Sequence, residues 1–243
     1  MDLILVTLLF ASIAAGTAAL GVLPLVGHDR LHAHAVGWAN ALAAGFMLGG
    51  AYLLMTAGPD FGLGRSGLGA AAGIALVWLS HVASGTADRG AERSGTPDEA
   101  VAYKALLVNA LHAAPEGVAI GAAMMVSVPF GVFIALAMAV HNIPEAAALA
   151  ETLRSRGVDL ASSAALGVLT NVTQVLLAVV AAAVVTILPG ALPWALGFAV
   201  GGLIYLVMSD LLPECYHRAG RRTIALVTIV AMGIVVLAGG LGR

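Results

Sequence analysis

Apolar residues run in long unbroken stretches along this chain, separated by short clusters that hold most of its charges. Crossing about 30 Å of hydrocarbon takes about 20 helical residues. The pattern divides into eight stretches of that order, at 3 to 26, 36 to 57, 67 to 82, 102 to 126, 130 to 153, 161 to 187, 191 to 213 and 223 to 241. A membrane β-barrel would need short alternating segments instead, so the expected fold is all-α and polytopic, with eight transmembrane helices. Pro189 and Gly190 divide one long apolar run into two helices, and Ser127 to Pro129 divide another. Residues 83 to 101, with Ser84, Gly85, Asp88, Arg89, Glu92, Arg93, Pro97 and Asp98, form the one substantial polar loop. It is too short for a further folded domain, and residues 1 to 243 read as a single transmembrane domain.

Charge placement sets the expected orientation, because short cytoplasmic loops accumulate Lys and Arg. With both termini outside, Arg30, Arg89, Arg93, Lys104, Arg154, Arg156, Arg218, Arg221 and Arg222 lie inside, against Arg65 and Arg243 outside. Adding or dropping one middle helix would scramble that partition. The loop at 83 to 101 is then cytoplasmic, and a bacterial inner membrane is the expected location. The run that starts at Leu3 has no basic residue before it and no clear cleavage site before Pro24, so it reads as a retained span.

Composition agrees: 60% of residues are hydrophobic and 10% charged, too apolar a surface for a water-soluble domain of this size to hide. The 30 glycines suit close approach of transmembrane helices. No basic face or aromatic platform accompanies the cations, which excludes a nucleic-acid surface. Cys215 is the only cysteine, so an intramolecular disulfide and a thiolate metal cluster are both excluded.

The chemistry lies in the polar residues of the spans. The fourth carries His112-Ala-Ala-Pro-Glu116 and the fifth His141-Asn-Ile-Pro-Glu145. A spacing of four puts imidazole and carboxylate on one helical face. An ionised Glu116 or Glu145 among hydrocarbon costs at least several kcal/mol unless it pairs or binds a cation. Consecutive antiparallel spans bring the two faces together near mid-membrane, where two carboxylates offset one divalent ion. Two imidazoles and two carboxylates suit tetrahedral Zn²⁺ at about 2.0 to 2.2 Å, and also accept Fe²⁺, Cd²⁺ or Mn²⁺. Pro115 and Pro144 release the carbonyls of Leu111 and Val140, either as packing kinks or as oxygens near a pathway.

Asn142 points about 100° from His141 and offers a second subsite bridged by Glu116 or Glu145, which Asn171 and Gln174 extend; the alternative for these amides is interhelical hydrogen bonding. Asp210, Glu214 and His217 close the seventh span along one flank, as a pathway to the cytoplasm or as residues facing water. His81, at the inner end of the third span, and His28, His32 and His34, in the first inner loop, read as interface residues with no transport role required.

The paired motifs resemble those of the fourth and fifth helices of the ZIP family of divalent metal transporters. The resemblance covers nearly the whole chain, with its eight spans, external termini, polar loop after the third span and the helix ending Asp210-Leu-Leu-Pro-Glu214. It implies His112, Glu116, His141 and Glu145 in a main metal site, Asn142 in an adjacent second one, and His217 near an inner exit. It also implies uptake of zinc or a related metal into the cytoplasm, and a homodimer. Two departures stand out: Ala113 follows the first His where the family often has Asn, and Ala146 follows the second Glu where Gly is usual.

The expected function is uptake of Zn²⁺ by alternating exposure of the His/Glu site, with the ion as substrate and no organic cofactor. No nucleotide-binding loop is visible, so a metal gradient or a coupled ion must drive it. Protons compete with metal for the same ligands. A selective channel would share the residues without saturating. An intramembrane zinc hydrolase would need a dedicated general base, and His-Glu-x-x-His is missing.

Overall fold

The structure, a computed structural model, describes residues 2–28, 31–58, 64–84 and 99–241. Arg30, Arg89, Arg93, Arg243 and nearly all of the polar loop between residues 83 and 101 lie outside the described residues. The elements are α1 (Leu3–Gly16), continued by a 3₁₀ segment (Thr17–Leu25), then α2 (Ala33–Ala57), α3 (Arg65–Ser84), α4 (Glu99–Val126) and α5 (Val128–Arg154). They continue with α6 (Leu160–Thr170), α7 (Val172–Ile187), α8 (Leu192–Leu206), a π-helical turn (Val207–Leu211), α9 (Leu212–Ala219) and α10 (Arg221–Leu241). Joined end to end, they give eight spans long and apolar enough to cross a membrane. The fold is therefore the expected all-α polytopic bundle, and Leu3 and Leu241 end on the same side.

Local signals explain the boundaries. The Ser127 side chain accepts from the Phe130 amide at 3.3 Å, and Pro129 occupies the first turn of α5, where no amide donor is needed. Asp159 caps α6: hydrogen bonds from the Ser162 hydroxyl (2.6 Å) and amide (2.9 Å) hold its carboxyl below the ordinary pKa. Gly220 sits at φ +81°, a left-handed conformation that costs other residues more, and turns the chain sharply between α9 and α10.

Burial is inverted relative to a soluble protein. The outer faces carry Leu68, Trp78, Leu169, Leu176, Leu226, Ile229 and Leu237, all exposed, as expected of side chains that meet lipid. The interior is lined by small residues such as Ala11, Ala44, Ala122, Ala178 and Ala199, and holds Glu116, His141, Asn142, Asn171 and Gln174. Glycines four apart mark the tightest crossings. Gly69 and Gly73 of α3 meet the backbone of α8, Gly117 and Gly121 of α4 that of α7, and Gly45 and Gly49 face α10.

These crossings sort the helices into two groups. In one, α3 lies on α8 and α2 on α9 and α10; in the other, α4 packs on α5 and α7, with α1 and its 3₁₀ extension on α5. The seam runs through α4 against α8 and α2 against α5. At Gly202, an added Cβ would stand 2.6 Å from Cβ and Cγ of Pro115 across it. Gly202→Val should therefore wedge α8 from α4. Overpacking of this kind costs about 1–3 kcal/mol, so the thermal midpoint in detergent is expected to fall by several degrees; an unchanged midpoint would show that the seam has slack.

Candidate metal centre

Glu116 is the central residue of Leu106–Val126, and His141 is the central residue of Val128–Arg154. Both therefore lie at mid-span, and both are shut off from the outside, at 1% and 2% relative exposure. The helices continue through Pro115 and Pro144, each one residue before a Glu. His141 Nε2 stands 3.3 Å from Glu116 Oε1 and 3.3 Å from Glu145 Oε2. The edge of a tetrahedron with metal bonds of about 2.0–2.1 Å is about 3.3–3.4 Å long, so this spacing matches donors around one such ion. The second oxygen of Glu116 is buried without a hydrogen-bond partner, an arrangement expensive for an anion unless a cation joins it.

His112, one turn before Glu116 on α4, belongs to a different group in this conformation. His81, His112 and Asp210 offer three donors within 4.8 Å of one another, as do Glu116, His141 and Glu145. His81 Nε2 lies 2.9 Å from His112 Nε2 and 2.9 Å from Asp210 Oδ2, while His112 Nε2 lies 3.4 Å from that same oxygen. Thus the four residues paired by their spacing fall into two neighbouring sets, with His112 drawn toward α3 and the π-helical turn.

Asp210 is aimed there by the π-helical turn Val207–Leu211. Pro213 lacks the amide that would close an α-turn on the Ser209 carbonyl, which favours the wider turn, and one extra residue in that turn rotates the helix beyond it. The single flank expected for Asp210, Glu214 and His217 is consequently broken up. Asp210 faces His81, Glu214 is exposed and paired with Arg218, and His217 is exposed and points into a cavity beside Arg221.

His81 is buried, in contrast to its reading as an interface residue. A signal was available: Ser66, Gly69, Gly73, Val77 and Ser80 form a buried stripe at spacings of three and four, and His81 extends it one turn beyond Val77. The other loop histidines behave as surface groups; His28, His32 and His34 are all on the outside, with His32 and His34 edge to face.

The amides make contacts of their own. Asn142 donates to the Ala14 carbonyl at 2.8 Å and to Gln174 Oε1 at 3.0 Å, tying α5 to α1 and α7. Asn171 donates to the Gly167 carbonyl at 2.9 Å, where the sixth span breaks between α6 and α7. Oxygens of Asn142 and Asn171 remain buried without partners, and Ala113, also buried, has no ligand atom to offer. Interhelical bonding thus occupies one side of the Asn142 amide and the oxygen of Gln174, whereas Asn171 bonds back within its own span. Asn142→Ala should lower the thermal midpoint by the equivalent of about 1–3 kcal/mol, as expected when buried partners are orphaned; a midpoint within a degree of wild type would assign the amide to something other than packing.

Residues 79–239 match the family model for the ZIP zinc transporter, a stretch that contains both donor sets from His81 to Asp210. The chain belongs to the ZIP family. Among ZIP relatives, the zinc transporter GufA of Myxococcus xanthus is 32% identical over 227 residues, covering 87% of this chain and 89% of that protein. A proposed zinc transporter of Arabidopsis thaliana is 29% identical over 221 residues and covers 89% of this chain. The chain spans 36% of that plant protein's length. ZIP proteins are transporters rather than enzymes, which sets aside the hydrolase alternative.

Proposed function

We propose that this protein takes up Zn²⁺ into the cytoplasm by alternating access, with Glu116, His141 and Glu145 as the central ligands and His112 able to join them. The observation that carries this reading is the convergence of a buried carboxylate, a partly buried one and a buried imidazole at mid-span, at spacings that suit a tetrahedral ion. The same donors also accept Fe²⁺, Cd²⁺ or Mn²⁺. The Arg-rich face meets the cytoplasm of a bacterial inner membrane, and the chain works as a homodimer.

Helix direction supports an order of events. α4 runs away from the Arg-rich face and α5 toward it, so His112 lies about 6 Å along the axis on that side of Glu116. An ion from the outer side sheds water onto Glu116, His141 and Glu145. It then passes through His112 to His81 and Asp210, and leaves toward the arginine side near Glu214 and His217. Glu116, His141 and Glu145 all ride on one helix group, whereas His81 and Asp210 ride on the other. A shift of one group against the other along the α4–α8 seam would open the centre to each side in turn, with Asn142 and Gln174 holding α1, α5 and α7 together as they move.

The test is ⁶⁵Zn²⁺ uptake by purified protein in liposomes, with unlabelled Fe²⁺, Cd²⁺ and Mn²⁺ as competitors. Saturable uptake inhibited by excess zinc is expected. Uptake that rises linearly with concentration would point to a channel, and uptake equal to that of empty liposomes, while a control carrier works, would reject transport.

A further inference from the structure

The elbow between α9 and α10 borders an open cavity of about 670 Å³ on the Arg-rich face. Pro213, Tyr216 and His217 line it from one face of α9, and Arg221, Arg222 and Ala225 from the first turns of α10. No carboxylate is among these residues. Their neighbour Arg218 is held between Glu214 and Glu151, but among the described residues no acidic group pairs with Arg221 or Arg222. Two guanidinium groups, an imidazole and a phenol thus face one space, and the geometry suits an anion with several acceptor oxygens.

The surroundings identify the kind of anion. Directly beyond this opening, α10 presents Leu226, Ile229, Val230, Ile234 and Leu237 outward, at 52–71% exposure, down its whole length. A ligand that fits both features has an anionic head at the opening and an apolar tail along the helix. Tyr216 and the paired arginines stand at the level where the hydrocarbon face ends, the usual place for groups that meet lipid headgroups.

We propose that this cavity binds the headgroup of an anionic phospholipid, its phosphate held by Arg221 and Arg222 and its acyl chains laid along α10. Because Asp210 precedes the same elbow by one short helix, a bound lipid also braces the segment through which the inner donor set is positioned.

The test needs no transport. Delipidated full-length protein in detergent is titrated with phosphatidylglycerol or phosphatidylcholine, and native mass spectrometry counts the lipids retained. Each arginine near a membrane surface is worth about fivefold in affinity for anionic lipid, so a preference of about 25-fold for phosphatidylglycerol is expected. It should vanish in R221Q/R222Q, persist in R221K/R222K, and persist in R65Q, which removes an exposed arginine from the opposite face. Millimolar inorganic phosphate should fail to displace the lipid. Equal retention of the two lipids, or a preference unaltered in R221Q/R222Q, overturns the proposal. Displacement by inorganic phosphate also overturns it, assigning the cavity to a soluble anion.

Discussion

Liposomes carrying the Glu116→Gln, Glu145→Gln double variant should take up ⁶⁵Zn²⁺ no faster than empty liposomes. The reason is electrostatic. A divalent ion gives up its hydration shell at mid-span only if negative charge replaces it, and Glu116 and Glu145 are the two carboxylates within reach of His141 there. Removing one partner from a buried charged assembly costs about 3–5 kcal/mol, or at least a hundredfold per site at 1.4 kcal/mol per decade. Losing both leaves neutral amides and imidazole. The same substitutions keep side-chain volume and remove the costly buried anion of Glu116 and the partly buried one of Glu145, so the metal-free fold should be at least as stable as wild type. Zinc raises the thermal midpoint of a protein that binds it in the folded state, by mass action. Wild type should show that rise, and the double variant should not. Wild-type uptake by the double variant would sink the central reading; loss of uptake together with a lowered metal-free midpoint would instead indicate a folding defect.

The spans were legible in the sequence because lipid imposes a length rule on the apolar runs, and the structure's eight candidate spans begin and end within a few residues of that pattern for most helices. The main difference, a seventh span extending to Ala219, has a local cause: the π-helical turn and Pro213 let the chain continue through a polar stretch that reads as a loop. The break at Asn171 was invisible for the opposite reason. Thr170-Asn171 is too brief a polar interruption to end a span by hydropathy, and at the break the Asn171 side chain bonds back to Gly167. Spacing within a helix put His112 on the face of Glu116, but it says nothing of what stands across from that face. The pull of His81 and Asp210 on His112 comes from α3 and the π-helical turn, two segments far away in sequence. Partnerships between helices need the packing, and at this centre the packing divides the donors.

The division has a kinetic consequence. Asp210→Asn should lower the maximal rate of zinc uptake about 10- to 100-fold, the range found when groups that support metal ligands are removed, and His81→Ala should do so to a similar degree. Neither residue reaches the Glu116, His141 and Glu145 donors, so the zinc-dependent rise in thermal midpoint should survive in both variants. That separation is what a transfer station predicts: the ion still loads, but the step onward has lost either its negative charge or its bridging imidazole. Without His81, His112 Nε2 keeps Asp210 at 3.4 Å and can still pass the ion slowly; without the Asp210 charge, two imidazoles alone hold a divalent cation poorly. Glu214→Gln supplies the contrast. Glu214 is exposed and tied to Arg218, and removing such a surface charge should alter uptake by less than about twofold, in keeping with the small worth of exposed pairs. If Asp210→Asn transported at the wild-type rate, the inner set would be a packing feature. Complete loss of the zinc-dependent midpoint rise would show that the two sets act as one centre, with His112 shared between them in the loaded state.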